Sequence, residues 1–304
     1  MDYILTSQSL CKSYKKFKAL SDFNIHIPKG SVYGLVGRNG AGKTTFIRLV
    51  CGLQEPTKGG YTLYGADSGT KAVYAARRRI GAIIEAPAIY RDMTAEENLR
   101  QQYRVLGLPS FDGIDELLKL VGLSDTGRKK AGHFSLGMRQ RLAIAIALCG
   151  NPDFLILDEP MNGLDPQGII EIRELILKLN REKQVTILIS SHILDELSRV
   201  ATHYGFMDKG TMVKEMSAQE LGAVQRKCVR LTVDSTTALS NLLTEKGIDF
   251  SIVSDTQADI YGDINIAQII VELSKNGCNV ISMNEKDESL ESYFINLVGG
   301  EKNG

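Results

Sequence analysis

One stretch constrains this chain more than any other: Gly37-Arg38-Asn39-Gly40-Ala41-Gly42-Lys43-Thr44. It matches G-x-x-x-x-G-K-[ST], a phosphate-binding loop. The glycines let successive backbone N–H groups turn inward and cup phosphate oxygens. A helix opening at the end of the loop adds the positive end of its dipole. In this pattern Lys43 reaches the β- and γ-phosphates and Thr44 offers its hydroxyl to Mg2+. Arg38, Asn39, Ala41 and Thr45 belong to the same nucleotide-binding turn. Such a loop needs a strand before it and a helix after it. Residues 31–36 are a short apolar run closed by glycine, and Phe46, Ile47, Leu49 and Val50 begin a helical pattern.

A second element completes the chemistry. Phe154-Leu155-Ile156-Leu157 is a continuous apolar run, as in a strand covered on both faces, and it ends in Asp158-Glu159. Two carboxylates at the C-terminal edge of such a strand lie where α/β sheets bind ligands. Asp158 would hold the hydration shell of Mg2+, and Glu159 would polarise the attacking water.

The rest of the pattern sets the organisation. Residues 1–30 alternate as antiparallel strands do, and 61–65 and 80–84 read as further strands. From about 87 to 150 the periodicity is helical, over 95–106, 114–121 and 138–148. A helix over 168–180 and a buried strand over 185–189 follow. This predicts an α/β fold over 1–216: a mainly parallel core, an antiparallel β subdomain and a helical insertion. Over 225–304 the order is βαββαβ, which predicts a small ferredoxin-like α+β accessory domain closed by an amphipathic helix over 289–298.

Composition narrows the surroundings. Lysine plus arginine equals aspartate plus glutamate, at 36 each, so no basic footprint points to a nucleic-acid partner. No run approaches the roughly 18 apolar residues of a membrane span. The start MDYILTSQSL lacks the basic region of a secretory signal. The five cysteines form no C-x-x-C pair and read as small core residues in a reducing compartment. Cytosolic placement is expected, with any membrane role reached through a partner.

Three more stretches separate this chain from other phosphate-loop proteins. They are Phe134-Ser135-Leu136-Gly137-Met138-Arg139-Gln140-Arg141, Asn162-Gly163-Leu164-Asp165-Pro166 and Ser190-Ser191-His192. With them, residues 4–215 resemble the ABC ATPase family: a signature loop, a D-loop and a switch histidine, in the family's order. The resemblance implies an ATPase using ATP and Mg2+. It places Tyr14 against adenine and His192 at the γ-phosphate of its own subunit's ATP. It places Ser135, the Gly137 N–H and Asp165 in the seam with a second subunit, so that two copies pack head-to-tail as a homodimer around two ATP. It further implies a separate integral-membrane permease, docked on the helical insertion near residues 86–93. The subunit would then lie in the cytoplasm, peripheral on the inner face of the cell membrane.

Two departures point to a subgroup. Glu85 stands where most of the family has glutamine, which would put a negative charge beside Mg2+. Leu136 and Met138 replace the signature's usual glycine and glutamine. Both features, with the tail over 291–300, resemble the bacitracin-resistance and lantibiotic-immunity ATPases, which implies export of peptide antibiotics. The rival is a soluble, non-transport ABC ATPase acting on ribosomes or DNA. Translation-type members carry two ATPase domains in one chain, and repair-type members insert a long coiled coil; one ATPase domain and no sustained heptads are found here. A GTPase would need an N-K-x-D motif, which the chain lacks.

Overall fold

The computed structural model describes residues 2–224, 227–262, 265–275, 277–287 and 289–299. The chain divides into two compact units, Met1–Ala218 and Gln219–Gly304.

The first unit opens with a long hairpin of β1 (Tyr3–Tyr14) and β2 (Phe17–Pro28). Then come β3 (Val32–Gly37), α1 (Lys43–Val50), β4 (Lys58–Leu63), the short β5 (Ala66–Asp67), α2 (Ala72–Arg77) and β6 (Ile80–Ile83). The helical insertion follows as α3 (Ala95–Leu106), α4 (Ile114–Leu120) and α5 (Leu136–Leu148). The chain returns through β7 (Phe154–Asp158), α6 (Pro166–Lys183), β8 (Thr186–Ser191), α7 (Leu194–Ser198), β9 (His203–Asp208) and β10 (Thr211–Ser217).

Two sheets result. One is antiparallel, in the order β2-β1-β4-β5; the other has the order β10-β9-β3-β8-β7-β6. In the second, β9, β3, β8, β7 and β6 run parallel and only the edge strand β10 is antiparallel. All of β3, β7 and β8 is buried, as expected for strands covered on both faces. A core cluster joins the two sheets through α1, with Phe23, Ile25, Phe46, Leu49, Phe154 and Ile156 all buried.

Local chemistry sets the helix starts. Thr94 and Glu97 form a reciprocal capping box at α3, with bonds of 3.1 and 2.7 Å, and Gly107 ends that helix in the left-handed region at φ +67°. Such a cap contributes about 1 kcal/mol. Helix α5 starts earlier than the apolar periodicity suggests, because the Met138 N–H donates to Ser135 Oγ at 3.2 Å and draws the first turn back to the serine. Strands β9 and β10 and helices α2 and α7 are additions to the sequence reading. They are short, and β10 alternates only weakly in burial.

The second unit continues from α8 (Ala218–Val224) through β11 (Lys227–Val233), α9 (Thr236–Glu245), β12 (Phe250–Ser254) and β13 (Gln257–Tyr261). It closes with α10 (Ile266–Lys275), β14 (Val280–Asp287) and α11 (Leu290–Gly299). Its sheet is antiparallel, in the order β12-β13-β11-β14, so two βαβ units interleave as in a split βαβ fold. Leu231, Val233, Leu239, Leu243, Ile260 and Leu273 form its core. Asp259 is fully buried and is matched by a two-bond pairing with Arg230 at 2.5 and 2.6 Å. The expected domain start at 225, the helix end at Asn276 and the tail residue Gly300 lie outside the described residues. Among the described residues no helix is long and apolar enough to cross a membrane.

Candidate active site

Three neighbouring strands, β3, β8 and β7, deliver the site at their C-terminal ends. Val36 lies beside Ser191, and Ser190 beside Asp158. The loop after β3 turns on Gly40 and Gly42, at φ +81° and +108°. At Gly42 a Cβ would stand 2.5 Å from the Ala19 carbonyl oxygen and 2.8 Å from Met207 Cε, so only glycine fits.

Lys43, 6% exposed, is folded back over this loop. Its ammonium donates to the Gly37 carbonyl at 2.6 Å and lies 3.4 Å from Glu159 Oε1. A buried ammonium is thereby balanced by a carbonyl dipole and a carboxylate.

Asp158 is 2% exposed. It accepts from Thr44 Oγ1 at 2.9 Å and also from Ser190 Oγ. Among the described residues no ion pair is found for it. A buried carboxylate with hydroxyl partners is short of positive charge, and hard oxygen donors of this kind suit Mg2+. Among the described residues no three or more His, Cys, Asp or Glu side chains group to hold a metal.

Glu159 occupies the left-handed region at φ +51°, uncommon for a residue with a side chain. Its N–H is held by Ser190, donating to the carbonyl at 3.1 Å and to Oγ at 3.2 Å. The carboxylate is thereby turned toward His192, whose Nδ1 lies 2.7 Å from Oε2. This contact uses Nδ1 and leaves Nε2 as the ring nitrogen for a ligand.

A cavity of about 270 Å3 lies over the loop, lined by Phe17, Ala19, residues 38–45 and Glu159. Of the nucleotide-binding residues expected from sequence, Arg38, Asn39, Gly40, Ala41, Gly42, Lys43, Thr44 and Thr45 line it. Gly37 contributes its carbonyl to Lys43 from below. Tyr14 is not among the lining residues; its hydroxyl bonds Gln54 Oε1, and the Lys12 ammonium lies 5.3 Å from its ring centre. Phe17 is the residue the sequence reading missed. The hairpin register, which pairs it directly with Tyr14, is the signal that finds it.

Ser135, Gly137 and Asp165 do not line this cavity. They cluster with one another instead. Ser135 caps α5, and Asp165 caps α6 by accepting from the Gly168 N–H at 3.2 Å. A Cβ on Gly137 would touch Leu164 and Gly168 at 4.0 and 3.7 Å, and one on Gly163 would touch Leu136 at 3.5 Å. Glu85 sits just after β6 at φ +63°, with Arg48 Nη2 2.5 Å from its Oε1. Arg48 lies one turn of α1 beyond Thr44, so this ion pair tethers Glu85 beside the helix that carries the Thr44 hydroxyl.

Comparison with known proteins agrees with this geometry. The family model described as ABC transporter matches residues 20–162. The bacitracin transport ATP-binding protein BcrA of Bacillus licheniformis is 39% identical, over 99% of this chain and 99% of its own length. The lantibiotic transport ATP-binding protein SrtF of Streptococcus pyogenes is 43% identical, over 70% of this chain and 90% of its own. Among solved structures, cbiO1 of Clostridium perfringens, part of an ABC transporter complex, superposes with a TM-score of 0.66 at 28% identity, over 74% of this chain and 92% of its own.

Proposed function

On the premise that the chain belongs to the ABC transporter family and is one of its ATPases, we propose that it works with Mg2+ and dimerises around two ATP. We further propose that it drives a separate membrane permease that exports peptide antibiotics of the bacitracin or lantibiotic type. The observation that carries the catalytic part is the Glu159 carboxylate, 2.7 Å from His192 and 3.4 Å from Lys43, at a cavity walled by the phosphate loop.

Each residue then has a task. The N–H groups of residues 38–45 and the α1 dipole hold the polyphosphate, and Lys43 neutralises its outer oxygens. Thr44 and Asp158 hold Mg2+, which when bound offsets charge on the β- and γ-phosphate oxygens. Glu159 orients a water and takes its proton; His192 fixes the carboxylate by donating from Nδ1 and, in its imidazolium form, also donates from Nε2 to the γ-phosphate. Tyr14 serves the adenine. Ser135, the Gly137 N–H and Asp165 serve the nucleotide of the second copy, in keeping with a lining of their own chain's cavity that does not include them. Glu85, paired with Arg48 beside α1, would add a further carboxylate to the metal region.

The export substrate is read from whole-length likeness to BcrA together with Glu85, Leu136 and Met138 in this sequence. The permease contact is assigned to residues 86–93. There Asn98 holds the Tyr90 backbone by bonds of 2.8 and 3.0 Å while the Tyr90 side chain is exposed. The second unit carries no nucleotide motif and has a structural role in this reading. The subunit is peripheral on the inner membrane face through its permease.

The test is a pull-down of tagged protein from detergent-solubilised native membranes, with co-purifying chains identified by mass spectrometry. A multi-span protein in matching amount, lost when residues 86–93 are altered, is the expected result. Recovery of ribosomal or DNA-repair proteins alone would overturn the transporter reading.

A further inference from the structure

We propose that the outer edge of β14 pairs with the same edge of a second copy of this chain, antiparallel and centred on Ser282. The proposal goes beyond the nucleotide seam and rests on the reading of the chain as an ATP-closed dimer. In the second unit β14 ends the sheet order β12-β13-β11-β14 and pairs with β11. Among the described residues no further strand pairs with its other edge. The outward N–H and C=O groups of such a strand are a template for another strand, which soluble proteins blunt with charge. Residues 280–284 carry no charge. They include Ile281, 67% exposed, and Met283, 50% exposed. Met283 lies opposite Leu231, and Ile281 is the extra residue of a bulge beside Val233. Leu231 and Val233 belong to the core, so Ile281 and Met283 extend the apolar face of the sheet to its rim.

Charge and symmetry select the occupant and the register. An antiparallel pairing centred on Ser282 sets Ile281 against the second copy's Met283, and Met283 against the second copy's Ile281. One edge thus supplies two apolar cross-strand pairs. Glu285, exposed just beyond, falls opposite the second copy's Asn279, a neutral residue. Centring on Asn284 would instead put Met283 against Glu285, and centring on Glu285 would put two carboxylates face to face. Same-edge pairing is two-fold and closes at two copies, the symmetry of a dimer closed around two ATP. Pairing β14 with β12, the other open edge, would be head-to-tail and would not close at two. A two-strand contact this short is marginal alone. A copy already held by ATP supplies the second strand at high effective concentration.

The test uses the full chain carrying Glu159→Gln, saturated with MgATP, and reads the dimer dissociation constant by sedimentation equilibrium. Adding Ile281→Lys and Met283→Lys sets like charges against each other and should weaken the dimer about tenfold. Ile281→Lys with Met283→Glu sets opposite charges against each other and should restore it. Both positions are exposed, so neither pair of changes disturbs the core. Independently, Ser282→Cys treated with diamide should form a covalent dimer in MgATP, and Ser254→Cys on β12 should not. Directly opposed residues stand about 4.5–5.5 Å apart, within reach of a disulfide. Equal dimer strength in the like-charge and opposite-charge variants, or equal cross-linking at 254 and 282, would overturn the proposal while leaving the ATP dimer standing. A Glu159→Gln chain that stays monomeric in MgATP would instead remove the dimer on which it rests.

Discussion

Replacing Glu159 by Gln isolates the chemical step from everything else the site does. The amide keeps the volume of the carboxylate and, through its carbonyl, can still accept from His192 Nδ1, now 2.7 Å from Oε2. The backbone cost at φ +51° is borne by either residue. What disappears is the basic oxygen that takes the proton and the negative charge 3.4 Å from Lys43. A positioned general base contributes roughly 10²- to 10⁴-fold, so turnover should fall by that factor, about 3–5 kcal/mol on the barrier. ATP affinity should hold or rise, because Lys43 no longer shares its charge with a carboxylate and the γ-phosphate no longer faces one. The assay is steady-state phosphate release at saturating MgATP, paired with gel filtration with and without ATP. Slow turnover together with an ATP-dependent shift to dimer is expected. Hydrolysis within about tenfold of the unaltered enzyme would refute the role of Glu159 as base. A strictly monomeric variant at saturating ATP would refute the coupling of ATP to dimerisation.

Other substitutions probe the frame around this carboxylate. Gly42→Ala places a Cβ 2.5 Å from the Ala19 carbonyl oxygen at φ +108°. It should abolish ATP binding in calorimetry and lower stability by at least about 1–3 kcal/mol. Phe154→Ala hollows the fully buried start of β7, and chemical denaturation should show a loss of about 3–5 kcal/mol. Glu85→Gln removes a pair whose carboxylate is 61% exposed, so stability should change by less than about 1 kcal/mol. Mg2+ titration of the ATPase should then show weaker metal dependence; an unchanged curve would make Glu85 incidental. At Asp153, partial burial raises the carboxyl pKa, but hydrogen bonds from Arg79 and Tyr64 outweigh it and hold the group below its ordinary value. A depressed pKa stabilises the fold above the unfolded value and is lost as pH falls through the folded one. Asp153→Asn should therefore destabilise at neutral pH, with the gap to the unaltered chain closing below about pH 4.

Much of this was legible before any coordinates. The glycine spacing of 37–44 and the apolar run into Asp158 carry their own geometry, because each needs a particular backbone and a buried strand. The ABC fold followed from motif order, and the relatives bear out both the family and the ATPase activity. Other features are relational and left no local pattern. Phe17 looks like any strand aromatic until the hairpin register sets it opposite Tyr14. The Arg48–Glu85 pair joins residues separated by a whole subdomain strand set, and neither alone signals the other. Ser190 read only as the end of a strand, yet it holds both Asp158 and the Glu159 backbone. Strand β10 went unread because a polar edge strand alternates too weakly to stand out, and β9, buried between β10 and β3, because its short run His203–Asp208 mixes polar residues and a glycine with its apolar ones.

The position of β8 has a further consequence, for which lengths of chain this protein tolerates. It separates the phosphate-loop strand from the Asp158 strand, sets Ser190 against Asp158 and leads directly into His192, which meets Glu159. Side chains alternate along a strand, so one residue inserted or deleted within β8 would turn Ser190 away from Asp158 and displace His192 in the same stroke. Loops of the helical insertion have no such parity, since no strand register depends on their length. Length variation among relatives should accordingly gather between β6 and β7 and be absent between Thr186 and His192, and alignment of insertions and deletions alone would mark out the catalytic edge.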